Sequence, residues 1–143
     1  MLMGTYEYTV DVKGRANVPP RFKDELGHEF IISRGFDKCL FIMSLDEWQR
    51  FSDINVDSFS SDDRMLHRFI FPTATPVEPD KQGRMLIPQL LRTYAELEKD
   101  IVVVGVNKRA EIWSKKNWEA IASKIEEGAD RAVEAKSAGK NGA

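Results

Sequence analysis

The chain has 143 residues, 42% hydrophobic and 31% charged, with a formal charge of -2 at neutral pH. This is a soluble, globular composition with length for one ordinary domain or two very small ones, and its charge gives no global reason to expect nucleic acid, so a basic surface must be local or built by assembling copies. The single Cys39 excludes an internal disulfide framework and a cysteine-rich zinc site, and neither a signal peptide, a myristoylation signal nor a membrane-spanning run is read.

Gly4 to Val10 alternates around Tyr6, Tyr8 and Val10 and reads as a strand. Asp11 to Gly14 reads as a turn, with Gly14 free to take a positive φ. Arg15 to Val18 reads as a return strand, so the expectation is a hairpin with Lys13 near its tip. Pro19-Pro20 stops that strand and opens a short helix over Pro20 to Leu26, closed by Gly27. Phe30–Ser33 and Cys39–Met43 read as two further strands, and Ser44 as the cap of a helix bearing Leu45, Trp48 and Phe51.

Ser52 to Ser61 is polar and reads as an interdomain loop. The next helix is capped by Ser60 or Ser61, carries Asp62 and Asp63 in its first turn, and ends at Pro72. The chain then repeats itself. Asp11-Val12-Lys13-Gly14-Arg15-Ala16-Asn17-Val18-Pro19 is answered by Asp80-Lys81-Gln82-Gly83-Arg84-Met85-Leu86-Ile87-Pro88, and Ile42-Met43-Ser44 and Trp48 by Ile112-Trp113-Ser114 and Trp118. Such self-similarity marks a duplicated unit.

In the second copy, Thr73–Glu78 and Arg84–Ile87 read as strands around a Pro79–Gly83 turn, and Pro88 to Glu96 as a helix. Asp100–Val106 and Arg109–Trp113 are the last strands, and Ile101–Val104, with no polar alternation, reads as covered on both faces. Ser114 caps a final helix. The expected division is 1–51 and 73–126 for the two repeats, 52–72 for the connection, and 127–143 for a mobile tail with almost no bulky apolar residue. Two lobes this small are expected to pack on each other or on other subunits.

The repeated Asp-x-x-x-Arg pairs, Asp11 with Arg15 and Asp80 with Arg84, carry the chemistry. Read alone, each is an ion pair across a turn, of small energetic weight if exposed. Read as a duplicated set, each hairpin presents Arg at its mouth and a lysine, Lys13 or Lys81, near its tip, with Asp orienting the Arg. Such cations suit phosphate, and Arg also suits the paired acceptors of guanine. His28 and His67 lie far from a second ligand, Ser33, Ser44 and Ser114 lack a base partner, and no phosphate-binding glycine fingerprint is present. Trp48, Trp113 and Trp118 read as packing, and Cys39 as buried and inert. No catalytic set converges, and no metal or cofactor is expected.

With these residues in view, the chain resembles the MraZ family, bacterial transcription regulators built from two swapped-hairpin (AbrB/SpoVT-like) repeats. The likeness covers about residues 1 to 126: Met3-Gly4-Thr5-Tyr6, both Asp-x-x-Gly-Arg motifs, Arg34-Gly35, Cys39-Leu40-Phe41, Val104-Gly105 and Glu111-Ile112-Trp113. The resemblance implies an α+β, β-rich fold of tandem pseudo-two-fold repeats with short helices. It also implies a homo-oligomeric ring of about eight or more subunits. As implied partner it adds double-stranded promoter DNA with short repeated G-rich boxes upstream of the division and cell-wall genes. Repression of that cluster and of the protein's own gene would follow, in the cytoplasm at the nucleoid. Lys13 and Arg15 would contact DNA, with Arg84 and Lys81 as candidates in the second motif. Pro20 doubles the proline after the first motif, and Gln82 stands where the first motif has Lys13. Two alternatives stay open: an antitoxin of the same fold, and an interaction ring that does not read DNA.

Overall fold

The computed structural model describes residues 1–54 and 60–141. Its strands are β1 (Thr5–Thr9), β2 (Arg15–Asn17), β3 (Phe30–Arg34), β4 (Leu40–Ser44), β5 (Thr75–Val77), β6 (Arg84–Leu86), β7 (Asp100–Val106) and β8 (Arg109–Ser114). The helices are α1 (Lys23–Leu26), α2 (Leu45–Ile54), α3 (Ser61–Ile70), α4 (Gln89–Tyr94) and α5 (Lys115–Asn141), with short 3-10 turns at Pro20–Phe22 and Phe71–Thr73. Positions 55–59 of the expected interdomain loop lie outside the described residues.

The strands form a six-stranded antiparallel sheet, β1-β7-β8-β4-β3-β5, and a separate two-stranded ribbon, β2-β6. This corrects the expected hairpin. The turn between β1 and β2 closes locally, Asp11 N–H donating to Arg15 O at 2.8 Å, but its strands then part. β1 pairs with β7 of the second repeat, Thr5 opposite Val104 and Thr9 opposite Asp100, while β5 pairs with β3 of the first. Exchanging β1 with β5, β2 with β6, β3 with β7 and β4 with β8 maps the order onto itself, so a pseudo-two-fold axis relates the repeats.

The repeats therefore build one core rather than two separate lobes. Leu2, Phe22, Leu26, Phe30, Ile32 and Ile42 from the first pack with Met85, Ile87, Leu91, Ile101 and Ile112 from the second, all buried. Each such side chain contributes about 1.5–3 kcal/mol by leaving water. Ile101, Val102, Val103 and Val104 are all buried, because a second cluster covers the opposite face of the sheet. There Phe41, Met43, Val102, Val104 and Trp113 lie under Trp48 and Phe51 of α2 and Trp118 and Ile121 of α5.

The serine caps stand where they were expected. Ser44, Ser60 and Ser114 accept from the backbone N–H of Glu47, Asp63 and Asn117 at 3.2, 3.1 and 3.0 Å. Within the stretch expected as a mobile tail, α5 continues past Glu127 to Asn141. Its Ala, Glu, Lys and Arg are strong helix formers, so local propensity extends the helix without a core to pack on. Residues 129–139 are exposed, and Arg131 pairs with Glu127 one turn earlier at 2.9 Å.

Candidate nucleic-acid interface

The ribbon puts the two motifs side by side. Ala16 and Met85, paired in its register, are fully buried, so the period-2 alternation turns Arg15, Asn17, Arg84 and Leu86 outward. Arg15 lies opposite Leu86 and Asn17 opposite Arg84, which spaces the two arginines diagonally across one face. The antiparallel pairing places the turns ahead of β2 and β6 at opposite ends of the ribbon. Lys13 and the fully exposed Val12 stand on one turn, Lys81 and Gln82 on the other.

Both turns are built alike. Asp11 Oδ1 accepts from the backbone N–H of Lys13 and Arg15, each at 2.9 Å, and its Oδ2 accepts from Arg15 Nε at 2.8 Å. Asp80 repeats the arrangement with Gln82 N–H at 3.0 Å, Arg84 N–H at 2.9 Å and Arg84 Nε at 2.9 Å. Gly14 and Gly83, at φ 87° and 75°, supply the left-handed residue that closes each turn. Each aspartate thus fixes a backbone turn and orients an arginine through Nε, and in the second turn Arg84 Nη2 also donates to Gln82 Oε1 at 3.3 Å. Arg84 also approaches Asp11 at 3.9 Å, so both guanidinium groups converge on one carboxylate.

The hydrogen bonds from Arg15 N–H and Arg84 N–H hold the two carboxyl groups below the ordinary carboxylate range; partial burial opposes this without overcoming it. These aspartates are poor proton acceptors at neutral pH and act as braces. Around the ribbon, Val18 N–H donates to Gly83 O at 3.0 Å and Ile87 N–H to Gly14 O at 2.9 Å, so each repeat's strand end holds the other repeat's turn.

The structure therefore gathers Arg15 and Arg84 on one ribbon and puts Asp11, Lys13, Asp80 and Lys81 on its flanking turns. Two further polar residues join them. Asn17 shares the outer face, two residues from Arg15, a signal present in the strand alternation. Arg92 of α4 packs against Gly14 and donates from Nε to Ile87 O at 2.9 Å. Its only sequence signal is its alignment with Lys23 between the copies.

Cys39 is buried, its thiol donating to Phe36 O at 3.1 Å, and burial, with a smaller contribution from Glu111, pushes that thiol well above its ordinary range. His28 is exposed, and His67 lies against the Phe71 ring. Among the described residues, no group of three or more His, Cys, Asp or Glu is placed to hold a metal, and no helix is long and apolar enough to cross a membrane.

A family model described as "MraZ protein, putative antitoxin-like" matches the chain twice, over residues 1–69 and 70–139. Among curated relatives named Transcriptional regulator MraZ, that of Caldanaerobacter subterraneus subsp. tengcongensis is 47% identical over 121 residues, 83% of this chain and 85% of its own. The one from Caldicellulosiruptor saccharolyticus is 45% identical over 140 residues, 89% and 98% of the two chains, and that from Ligilactobacillus salivarius 45% over 136 residues, 94% and 95%. With both halves matched by the family model and relatives this similar along most of their length, the chain belongs to the MraZ family.

Proposed function

We propose that this protein is a sequence-specific DNA-binding transcriptional regulator that reads double-stranded promoter DNA with the outer face of its β2-β6 ribbon. The observation that carries the reading is the pair of aspartate-braced arginines, Arg15 and Arg84, on one outward face between two turns bearing Lys13 and Lys81. A two-stranded ribbon fits the major groove of B-DNA, and an arginine held through Nε can offer its terminal nitrogens to guanine O6 and N7 or to a phosphate, Arg84 giving up its exposed bond to Gln82 to do so. Asn17 supplies an amide that can pair with an adenine edge. The names of the relatives, transcriptional regulators, agree with this assignment.

The finer reading is repression of the division and cell-wall gene cluster and of the protein's own gene, through short repeated G-rich boxes. It places the protein in the cytoplasm, associated with the nucleoid. One ribbon neutralises only a few phosphates, about one unit of salt slope per contact, so a single copy binds weakly. A homo-oligomeric ring of about eight or more copies would engage successive boxes together, raising affinity by effective concentration. The units acting in it are the repeats 1–51 and 73–126, joined by 52–72.

The test is a gel shift on DNA upstream of the protein's own gene, wild type beside Arg15→Ala, over a range of salt. Discrete complexes with a salt slope beyond one subunit's contacts, lost in Arg15→Ala while assembly persists, are expected. No shift by well-assembled wild-type protein would remove the DNA reading and leave an interaction ring.

A further inference from the structure

We propose that Arg92 is the positioning residue of the first motif turn, and that it makes the two chemically similar turns unequal readers of DNA. The inference rests on the DNA reading above and adds which turn is held ready and by what.

An offset of 69 residues carries Asp11 to Asp80, Gly14 to Gly83, Val18 to Ile87 and Lys23 to Arg92. The bonds from each aspartate into its turn match, and so do those from Val18 and Ile87 to the facing glycine carbonyls. Inside the second turn Arg84 Nη2 makes one exposed bond more, to Gln82 Oε1 at 3.3 Å. The larger difference lies behind the turns. A Cβ placed on Gly14 would stand 2.9 Å from Arg92 Cζ and 3.0 Å from its Nε, so the guanidinium backs that turn directly. The same Nε is anchored on Ile87 O at 2.9 Å, and Ile87 N–H holds Gly14 O at 2.9 Å. Backbone and side chain thus clamp the first turn from the second repeat.

Behind Gly83 there is open space. Lys23, at the place of Arg92, is exposed and lines a groove of about 670 Å³ together with Asn17, His28, Lys81 and Gly83. A lysine has no mid-chain donor equivalent to Nε, and its ammonium is strongly hydrated, so it cannot bond the strand carbonyl and cover the turn at once. The first turn therefore meets DNA backed by a side chain, whereas the second is held by its own bonds alone and loses more freedom on binding, a cost that reduces affinity. Among the described residues Arg92 has no carboxylate partner, so its contact with the turn is not competed by an ion pair.

The experiment uses the full chain, comparing wild type with Arg92→Ala, Arg92→Lys and Lys23→Arg. Amide hydrogen exchange, corrected for intrinsic rates, is read at Lys13–Gly14 and Gln82–Gly83 without DNA. Affinity for a promoter fragment that wild type binds is read across salt, with assembly checked by sedimentation. In wild type the first turn is expected to exchange more slowly than the second. Arg92→Ala should remove that difference and weaken binding by roughly three- to tenfold, the factor for ordering one loose turn. Its salt slope should stay at the wild-type value, whereas Arg15→Ala lowers the slope by about one per lost phosphate contact. Arg92→Lys should fail to restore protection, and Lys23→Arg should slow exchange at Gly83.

Unchanged exchange in Arg92→Ala overturns the proposal, as does a slope that falls by about one, which would make Arg92 itself a phosphate contact. If Arg92→Ala fails to assemble, equal exchange at the two wild-type turns overturns it instead. Wild-type protein that binds no promoter fragment sinks the DNA reading, and the exchange comparison still decides whether Arg92 clamps the turn.

Discussion

Alanine at Gly14 and at Gly83 should carry different costs, although the two glycines share a motif position. Both lie at positive φ, 87° and 75°, where an alanine costs about 1–2 kcal/mol. At Gly83 nothing stands in the way of a Cβ, so that cost is the whole effect. At Gly14 the new Cβ meets the Arg92 guanidinium at 2.9 Å, and the side chain has to swing off its bond to Ile87 O. Losing that partly exposed bond adds about 1 kcal/mol, giving about 2–3 kcal/mol for Gly14→Ala against about 1–2 for Gly83→Ala. Urea unfolding at matched protein concentration measures both, since subunit association contributes to apparent stability. In an Arg92→Ala background the gap should close, because the obstacle has gone. Equal costs in the parent, or a gap that survives removal of Arg92, would refute the argument.

Acid should act through the braces. Because the folded-state carboxyls of Asp11 and Asp80 titrate below their ordinary range, their contribution is complete above that range and is lost as pH falls through the folded values. Amide NMR of Lys13 and Arg15 should stay constant down to the ordinary carboxylate range and shift below it; the same acid transition in Asp11→Asn would assign it elsewhere. Cys39 should resist iodoacetamide at pH 8 in the native protein and react once urea unfolds it, since its thiol is buried and its ionisation suppressed. Fast native labelling would count against that burial. Truncation after Glu127 should leave the unfolding midpoint nearly unchanged, because residues 129–139 are exposed. A large drop would mean that the end of α5 is covered in the assembly.

Much of the local structure was legible because its causes are local. Aspartate followed three residues later by glycine specifies the turn, through a carboxylate that caps the next amides and a residue tolerant of positive φ. Ser44, Ser60 and Ser114 cap helices in the same short-range way. The buried run Ile101–Val104 announced a strand covered on both faces. The helix at the end of the chain is less legible, because Ala, Glu and Lys repay little as core but much as helix.

The duplication, the turn chemistry and the arginine beside each aspartate are written in the local pattern of the chain. Which strand pairs with which is settled by tertiary packing. Alternation says which residues face inward but not whose edge a strand joins, and a β1-β2 hairpin satisfies the same pattern as the observed β1-β7 pairing. Strand exchange then brought Arg15 and Arg84 onto one ribbon and set Arg92 behind Gly14 but only Lys23 near Gly83. Those contacts join residues far apart in the chain, so no local pattern encodes them. The shared core that both repeats bury holds them in place.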